Sequence, residues 1–206
     1  MEDVGRIIMS SQSKSCASDP LPTNTLKEFL PEILPFITDM CNTSLRQGML
    51  SLSQRHAIVT SRLKKADGDP IDSRNYRPIS KLTFTSKLVG RLVWRQLVAF
   101  LERERLLPTY QSAYRKHHST EMAILKIISD ALLVADRGDV TLLGLLDLSA
   151  AFDTVDHAIL IDRLRTAFGI RGSVLSQINS FISVRTQTVI FNGTKSTRSV
   201  LDCDVL

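Results

Sequence analysis

The 206-residue sequence contains no apolar run that approaches the ~20 residues of a membrane-spanning helix. It has only three cysteines, Cys16, Cys41 and Cys203, and they form no CxxC pair. This pattern excludes a disulfide framework and a cysteine-type metal site, and it favours a reducing compartment. The start, Met1-Glu2-Asp3, is acidic, which argues against a secretory signal.

What is present is an ordinary globular composition with an uneven charge distribution. Hydrophobic residues make up 43% of the chain and charged residues 23%, which excludes wholesale disorder. The net charge is +5, but residues 62–137 alone hold 15 Lys and Arg against 8 Asp and Glu. Such a basic block is typical of a polyanion-binding site and equally of a solvated helix face. Charge alone leaves both interpretations open.

Apolar spacing and turn residues predict helices that alternate with a few strands, an α+β class with α/β-like alternation. Pro31 and Pro35 divide a first helical stripe, which predicts two short helices or a kink. Asn192-Gly193 between two β-prone runs is typical of a hairpin. The other predicted elements are a strand over 57–60, helices over 83–106, 119–137, 156–168 and 173–183, and a strand buried on both faces over 140–146.

The segment LDLSAAFDTVDH (146–157) places a carboxylate, Asp147, at the end of that apolar strand. A buried carboxylate is costly unless a partner offsets its charge, and Mg²⁺ does so with oxygen ligands. The alternative is an aspartate that caps the following turn. Phe152 follows in the turn, where plain core packing is the ordinary interpretation. Asp156 has the position of a helix N-cap.

Two upstream segments, NYRPIS (75–80) and QSAYRKHHST (111–120), complete an ordered set with LDLSAAFDTVDH. In sequence and spacing this set resembles the reverse transcriptase of non-LTR (LINE-type) retrotransposons, closest to the CR1/L2-like group, over roughly residues 14–206. The resemblance implies the fingers and part of the palm of a right-hand polymerase, helix-rich with a small sheet. It implies template-directed nucleotidyl transfer with an RNA template, a DNA primer, deoxynucleoside triphosphates and Mg²⁺, and no membrane partner.

The resemblance also implies roles for individual residues. Asp147 matches the first catalytic, metal-binding aspartate, and Phe152 matches the aromatic that contacts the incoming sugar. Lys65 and Arg77 match the basic pair that binds the triphosphate; a solvated turn charge and a surface salt bridge are their respective alternatives. The residues that match the template-binding block are Gln111, Tyr114 and Arg115. His117 and His118 are interpreted as surface or phosphate-contacting residues, and Asp153 as orienting its turn rather than binding metal.

The sequence departs from the family pattern at its catalytic centre. No Tyr-x-Asp-Asp and no adjacent pair of aspartates occurs in the 206 residues. Ala113 stands where the family has glycine. Because one carboxylate cannot hold two divalent ions against their repulsion, we expect that this chain does not polymerise DNA. It is expected to be truncated before the Pro-Gln-Gly block and the Tyr-x-Asp-Asp motif.

These expectations divide the chain into three parts. Residues 1–22 are expected to form a poorly ordered linker, residues 23–52 a helical N-terminal extension, and residues 53–206 the fingers and an incomplete palm. Two alternative functions remain: a non-catalytic nucleic-acid-binding remnant that uses the basic block, and an interaction module that uses residues 24–50. The resemblance implies a nuclear or cytoplasmic location.

Overall fold

The computed structural model describes residues 1–14, 16–148, 151 and 154–201. Its helices are α1 (Glu2–Ser10), α2 (Thr23–Glu28), α3 (Leu30–Gln47), α4 (Phe84–Arg103), α5 (Thr120–Ala135), α6 (His157–Thr166) and α7 (Gly172–Ile182). Its strands are β1 (His56–Leu63), β2 (Tyr76–Lys81), β3 (Arg185–Phe191), β4 (Thr194–Lys195) and β5 (Ser199–Leu201). This helix-rich chain with one small mixed sheet confirms the expected α+β class.

The chain forms two compact units. The first comprises Met1–Ala99 and Ala150–Leu206, and the second comprises Phe100–Ser149. The first unit contains the sheet and a helical core. Its most deeply buried apolar side chains include Ile8, Cys41, Leu50, Leu88 and Val89.

The N-terminal region differs from the expected disordered linker over residues 1–22. Glu2–Ser10 is helical, and Val4, Ile7 and Ile8 are buried in the core of the first unit. Three- and four-residue spacing places these side chains on one helix face, so their burial stabilises the segment. The expectation of disorder is therefore wrong for α1.

The sequence predicted that Pro31 and Pro35 interrupt a helix, and only Pro31 lies at a helix boundary. Phe29 separates α2 from α3, and Pro31 lies in the first turn of α3, where no hydrogen bond is lost. Pro35 lies inside α3, and the helix continues through it to Gln47.

The sheet has the strand order β2-β1-β3-β4, and β5 also pairs with β3. β1 runs antiparallel to β2 and parallel to β3, so it is a central strand. The predicted hairpin after β3 is confirmed: Asn192 and Gly193 have φ of 48° and 80°, the left-handed values that a primed turn requires.

The two faces of the sheet have different environments because successive side chains of a strand alternate. Ala57 and Val59 of β1 are buried on one face, while His56, Ile58 and Thr60 on the other are only half-buried. We call this second surface the open face. By strand register it also includes Arg62, Arg77, Ile79, Lys81, Thr186, Thr188, Ile190 and Lys195.

The predicted buried strand over 140–146 is wrong. These residues form neither helix nor strand, and Leu142 and Leu146 are each 98% exposed. A strand requires a neighbour for its N–H and C=O groups, and none of the described residues pairs with this segment. The helices predicted over 83–106, 119–137, 156–168 and 173–183 are confirmed as α4, α5, α6 and α7.

Candidate nucleotide and nucleic-acid interface

A groove of about 850 Å³ lies where β1, β2 and the end of β3 meet. Arg62, Lys64 and Arg77 line it, together with residues of β3 and the hairpin turn. None of the residues that line it is acidic. In the described part of the chain, none of these three cations forms an ion pair with a carboxylate. The groove is therefore suited to an anion.

Strand register explains why the positive charge is concentrated there. Arg62 and Arg77 occupy directly opposed positions of the antiparallel pair β1–β2. Like charges opposite each other destabilise a sheet, whereas an anion between them would offset the repulsion. Lys64 extends the same side of β1, and its backbone N–H donates to the Asn75 carbonyl at 2.7 Å.

The turn that joins β1 to β2 provides its own counter-charge. Arg74 donates to both oxygens of Asp72, with Nη2 2.9 Å from Oδ2, and the Asp72 carboxylate also accepts from the Arg74 N–H. These hydrogen bonds lower the pKa of Asp72. Because the Asp72 carboxylate is paired with Arg74, it does not form an ion pair with the nearby Arg77, and Arg77 remains available to bind an anion.

Two aromatic rings pack at the same end of the sheet. The rings of Tyr76 and Phe191 meet edge to face with centroids 5.7 Å apart, and the Tyr76 hydroxyl donates to the Pro70 carbonyl at 3.0 Å. These contacts join β2 to β3 and to the turn. They fix the position of β2, which carries Arg77, relative to β3 and the turn.

Of the predicted triphosphate pair, the groove contains Arg77 but not Lys65. Lys65 lies in the exposed turn after β1, whereas its neighbour Lys64 lines the groove. The sequence alone could not separate two adjacent lysines. The structure does so, since Lys64, the first residue after β1, lines the groove and Lys65 does not.

The predicted template residues lie in one loop of the second unit. Arg115 Nη1 donates to the carbonyls of Pro108 and Gln111 at 3.2 and 3.3 Å, and Gln111 Nε2 donates to the Ala113 carbonyl at 3.1 Å. Arg115 and Gln111 thus stabilise the loop that carries them. Tyr114 is 78% exposed and has a φ of 61°, a left-handed value unusual for its residue type.

The loop continues into α5, and its histidines occupy surface positions. His117 and His118 are exposed, and His118 Nδ1 lies 3.0 Å from the Lys116 carbonyl. Ser119 then caps α5 by accepting from the Met122 N–H. This confirms the predicted start of the second helix.

The predicted catalytic centre is represented by Asp147 alone. Asp147 is exposed in the irregular end of the second unit, while Phe152 and Asp153 lie outside the described residues. Nowhere in the described ranges do three or more His, Cys, Asp or Glu residues approach closely enough to hold a metal ion. These residues do not by themselves fit a two-metal centre. Asp156 caps α6 as predicted, and its Oδ1 accepts from the Ile159 N–H at 2.9 Å.

A second polar cluster on the open face was not predicted from the sequence. His56 Nδ1 lies 3.0 Å from Thr186 Oγ1, and Arg198 Nε donates to the same oxygen at 2.9 Å. Burial and, secondarily, the Arg198 charge lower the pKa of His56, although the contact with Thr186 opposes them. The available sequence signal was that the strands, over the residues that the structure describes, contain neither Asp nor Glu.

The chain is similar to known proteins over most of its length. A reverse transcriptase (RNA-dependent DNA polymerase) family model matches residues 63–202. The RNA-directed DNA polymerase from mobile element jockey of Drosophila melanogaster is 25% identical over 197 residues, which cover 95% of this chain and 21% of that relative.

Two further relatives also match most of this chain over a small part of their own length. The probable RNA-directed DNA polymerase from transposon X-element of Drosophila melanogaster is 25% identical over 93% of this chain and 21% of its own length. The transposon TX1 uncharacterized 149 kDa protein of Xenopus laevis is 31% identical over 76% of this chain and 12% of its own length. The chain spans about a fifth of the length of the first relatives. None of the helices described here is long and apolar enough to cross a membrane.

Proposed function

The chain belongs to the reverse transcriptase (RNA-dependent DNA polymerase) family, and we propose that residues 53–206 supply the fingers and the beginning of the palm of a non-LTR retrotransposon polymerase. In this proposal residues 23–52 form a helical extension. The observation that supports it best is the groove whose described lining is free of acidic residues and carries Arg62, Lys64 and Arg77, of which Lys64 and Arg77 lie within the matched region.

The groove binds the triphosphate of an incoming deoxynucleotide. A guanidinium matches phosphate oxygens with two parallel N–H donors, so Arg77 makes the principal contact. Lys64 adds a second positive charge from the residue that follows β1, and Arg62 faces Arg77 across the strand pair. Lys65, which the resemblance selects, contributes from the exposed turn at longer range.

Calorimetric titration with dGTP tests this assignment. Replacing Arg77 by Ala removes a charge-assisted contact and is expected to weaken binding at least about tenfold. Arg46→Ala is the matched control, because Arg46 is exposed on α3 of the same unit and does not line the groove. Equal affinities of the two variants would contradict the assignment. Comparing Lys64→Ala with Lys65→Ala shows which lysine contributes more.

Members of this family use divalent metal ions, and we propose that Asp147 is a magnesium ligand. One exposed carboxylate does not neutralise two divalent cations, so the 206-residue chain is not expected to extend a primer by itself. A primer-extension assay with Mg²⁺ and all four dNTPs tests this. Elongated product that disappears in Asp147→Asn would overturn the expected inactivity and support the ligand.

The remaining site residues complete the proposal. Family members bind an RNA template and a primer. We propose that Gln111, Tyr114 and Arg115 contact the template and that Phe152 contacts the sugar of the incoming nucleotide. Tyr114 offers an exposed ring in that loop, and ring faces stack on unpaired bases of any sequence.

A non-catalytic nucleic-acid binder is the second candidate function, and the exposed cations of the sheet favour it. It predicts RNA binding that weakens steeply with salt in a chain that extends no primer. Absence of RNA binding at low salt would exclude it. Primer extension would favour the first candidate instead.

A further inference from the structure

A second cavity of the first unit lies where the segment after α1 meets the first turns of α4, and its volume is about 440 Å³. We call it the N-terminal cavity. Its charged lining residues are Lys14, Asp19, Lys87 and Arg91. Among the described residues, it shares none of its lining with the groove on the sheet. Its volume is in the range of small-molecule sites, so it can hold a ligand larger than a single ion.

The charge of this lining is positive. In the described part of the chain, neither Lys14, Lys87 nor Arg91 has a carboxylate oxygen within the 4.0 Å of an ion pair. Lys87 and Arg91 are four residues apart on α4, and like charges at that spacing repel each other. Three cations and one carboxylate leave two positive charges, which a bound dianion would neutralise.

The one carboxylate of the cavity binds backbone groups instead of cations. Asp19 Oδ2 accepts from the Cys16 N–H at 2.7 Å, and Asp19 Oδ1 accepts from the Phe84 N–H at 2.6 Å. The second bond satisfies an N–H group at the start of α4 that has no partner within the helix. Asp19 therefore fixes the loop after α1 against α4 and leaves the cations of the cavity available.

A buried hydroxyl holds the Arg91 guanidinium in place. Ser11 is 7% exposed, and its Oγ donates to the Ile7 carbonyl at 2.6 Å and accepts from Arg91 Nη1 at 2.7 Å. Arg91 Nη2 and the Lys87 ammonium form no hydrogen bond with any residue that the structure describes. A guanidinium that is already fixed loses little conformational entropy when it binds an oxyanion.

From these observations we propose that the N-terminal cavity binds a small dianionic oxyanion of the phosphate class, held by Lys14, Lys87 and Arg91. Charge-assisted hydrogen bonds from a guanidinium and from ammonium groups suit such an ion. Each phosphodiester of a nucleic acid carries a single charge, so the ligand is free phosphate or a phosphomonoester. Because Lys14 follows α1 and the other two cations belong to α4, the bound dianion joins these segments and stabilises the folded chain.

Thermal unfolding of the 206-residue chain at pH 8, in salts of equal ionic strength, tests the proposal. With a Kd of about 1 mM, 10 mM inorganic phosphate should raise Tm by about 4 °C relative to chloride. Sulfate, which is also a dianion, should have the same effect. Dimethyl phosphate is a diester with one charge and should raise Tm by no more than about 1 °C. No rise with phosphate would overturn the site, and an equal rise with dimethyl phosphate would overturn the preference for a dianion.

Lys87→Ala is the main variant, because Lys87 is exposed and its loss should leave folding intact. It should reduce the rise in Tm with phosphate from about 4 °C to about 1 °C, which corresponds to about tenfold weaker binding. Arg91→Ala should do the same, and loss of its bond to Ser11 should also lower Tm without phosphate. Arg46→Ala is the matched control, since Arg46 is exposed and does not line the cavity. An undiminished rise in Lys87→Ala would contradict the proposal.

Trypsin cleavage tests the contact with Lys14. Trypsin binds the charged side chain before the bond that it cuts, so a dianion on Lys14 should slow cleavage after that residue. At ten times Kd about nine-tenths of the sites are occupied, and the slowing should be severalfold. Arg137 is exposed in the second unit and provides the internal control, with fragments counted by mass spectrometry. Equal slowing after Arg137 would contradict a ligand at Lys14.

The groove on the sheet is the competing phosphate site, and Arg77→Ala separates the two. Most of the rise in Tm should persist in Arg77→Ala, because Arg77 does not line the N-terminal cavity. A rise that is lost in Arg77→Ala and kept in Lys87→Ala would overturn this inference and retain the proposed function. A rise that is lost in Lys87→Ala, with equal dGTP affinities of Arg77→Ala and Arg46→Ala, would support the cavity and contradict the triphosphate site.

Discussion

The two units of the chain differ in how much of their apolar surface they bury. In the first, side chains such as Ile8, Leu50 and Val89 are completely buried. In the second, none of the described residues 100–148 is buried, and α5 exposes apolar side chains all along its length. Packing therefore stabilises the first unit, whereas the second depends on local hydrogen bonds and caps. A segment with strong helical signals, such as α5, therefore forms its helix without burying one face of it.

Truncation of a core leucine should show the largest difference between the units. Leu88 is 1% exposed, so Leu88→Ala should lower the free energy of unfolding by about 3 kcal/mol. Leu132 on α5 is 60% exposed, and Leu132→Ala should change the free energy of unfolding by no more than about 0.5 kcal/mol. Urea denaturation followed by circular dichroism measures both. Similar losses would show that α5 is packed as tightly as α4.

Gly48 in the first unit and Gly138 in the second both have positive φ, so the two positions allow a second comparison of the units. A Cβ at Gly48 would lie 2.6 Å from the Ser173 carbonyl oxygen, whereas Gly138 has no heavy atom within 4 Å of that position. Gly138→Ala should therefore cost only the left-handed backbone strain, about 1 kcal/mol. Gly48→Ala should cost about 2 kcal/mol or more, because α3 and α7 must also separate. Thermal melts compare them, and a smaller loss for Gly48→Ala would contradict the close approach of these helices.

Helix caps give the smallest effects. Asp156→Ala removes the cap of α6 in the first unit and should lower the global stability by about 1 kcal/mol, while Asp156→Asn retains the cap. Ser119→Ala removes the cap of α5 and should reduce the helical signal of the native chain without moving the denaturation midpoint. If Ser119→Ala shifted the midpoint as much as Asp156→Ala, the two units would unfold together.

The sequence predicted most elements whose signal is local. Asn192-Gly193 specified its hairpin, and Asp156 and Ser119 marked helix starts, because turn and cap chemistry act within a few residues. The strand over 140–146 failed for the opposite reason. Apolar composition indicates burial, but burial requires a partner surface that no local pattern reveals.

The residues of the candidate site also divide into those that a local sequence signal identifies and those that depend on distant parts of the chain. Arg77 was identified from a family motif, and the structure places it in the groove. Arg62 and the polar cluster of His56, Thr186 and Arg198 were missed, because they depend on the register of β1 against β2 and β3. His56 and Thr186 are 130 residues apart in the sequence and adjacent in the sheet. No spacing rule connects residues at that separation.

The parallel pairing of β1 with β3 also affects how the chain matures during translation. A ribosome adds ~5–20 residues per second, so β1 waits roughly 6 to 26 seconds for β3 to be synthesised. During that interval the hairpin of β1 and β2 presents an unpaired edge, a target for chaperones or for the same edge of another nascent chain. Synonymous codons that slow elongation between these strands would lengthen the wait and lower the soluble yield without altering one amino acid.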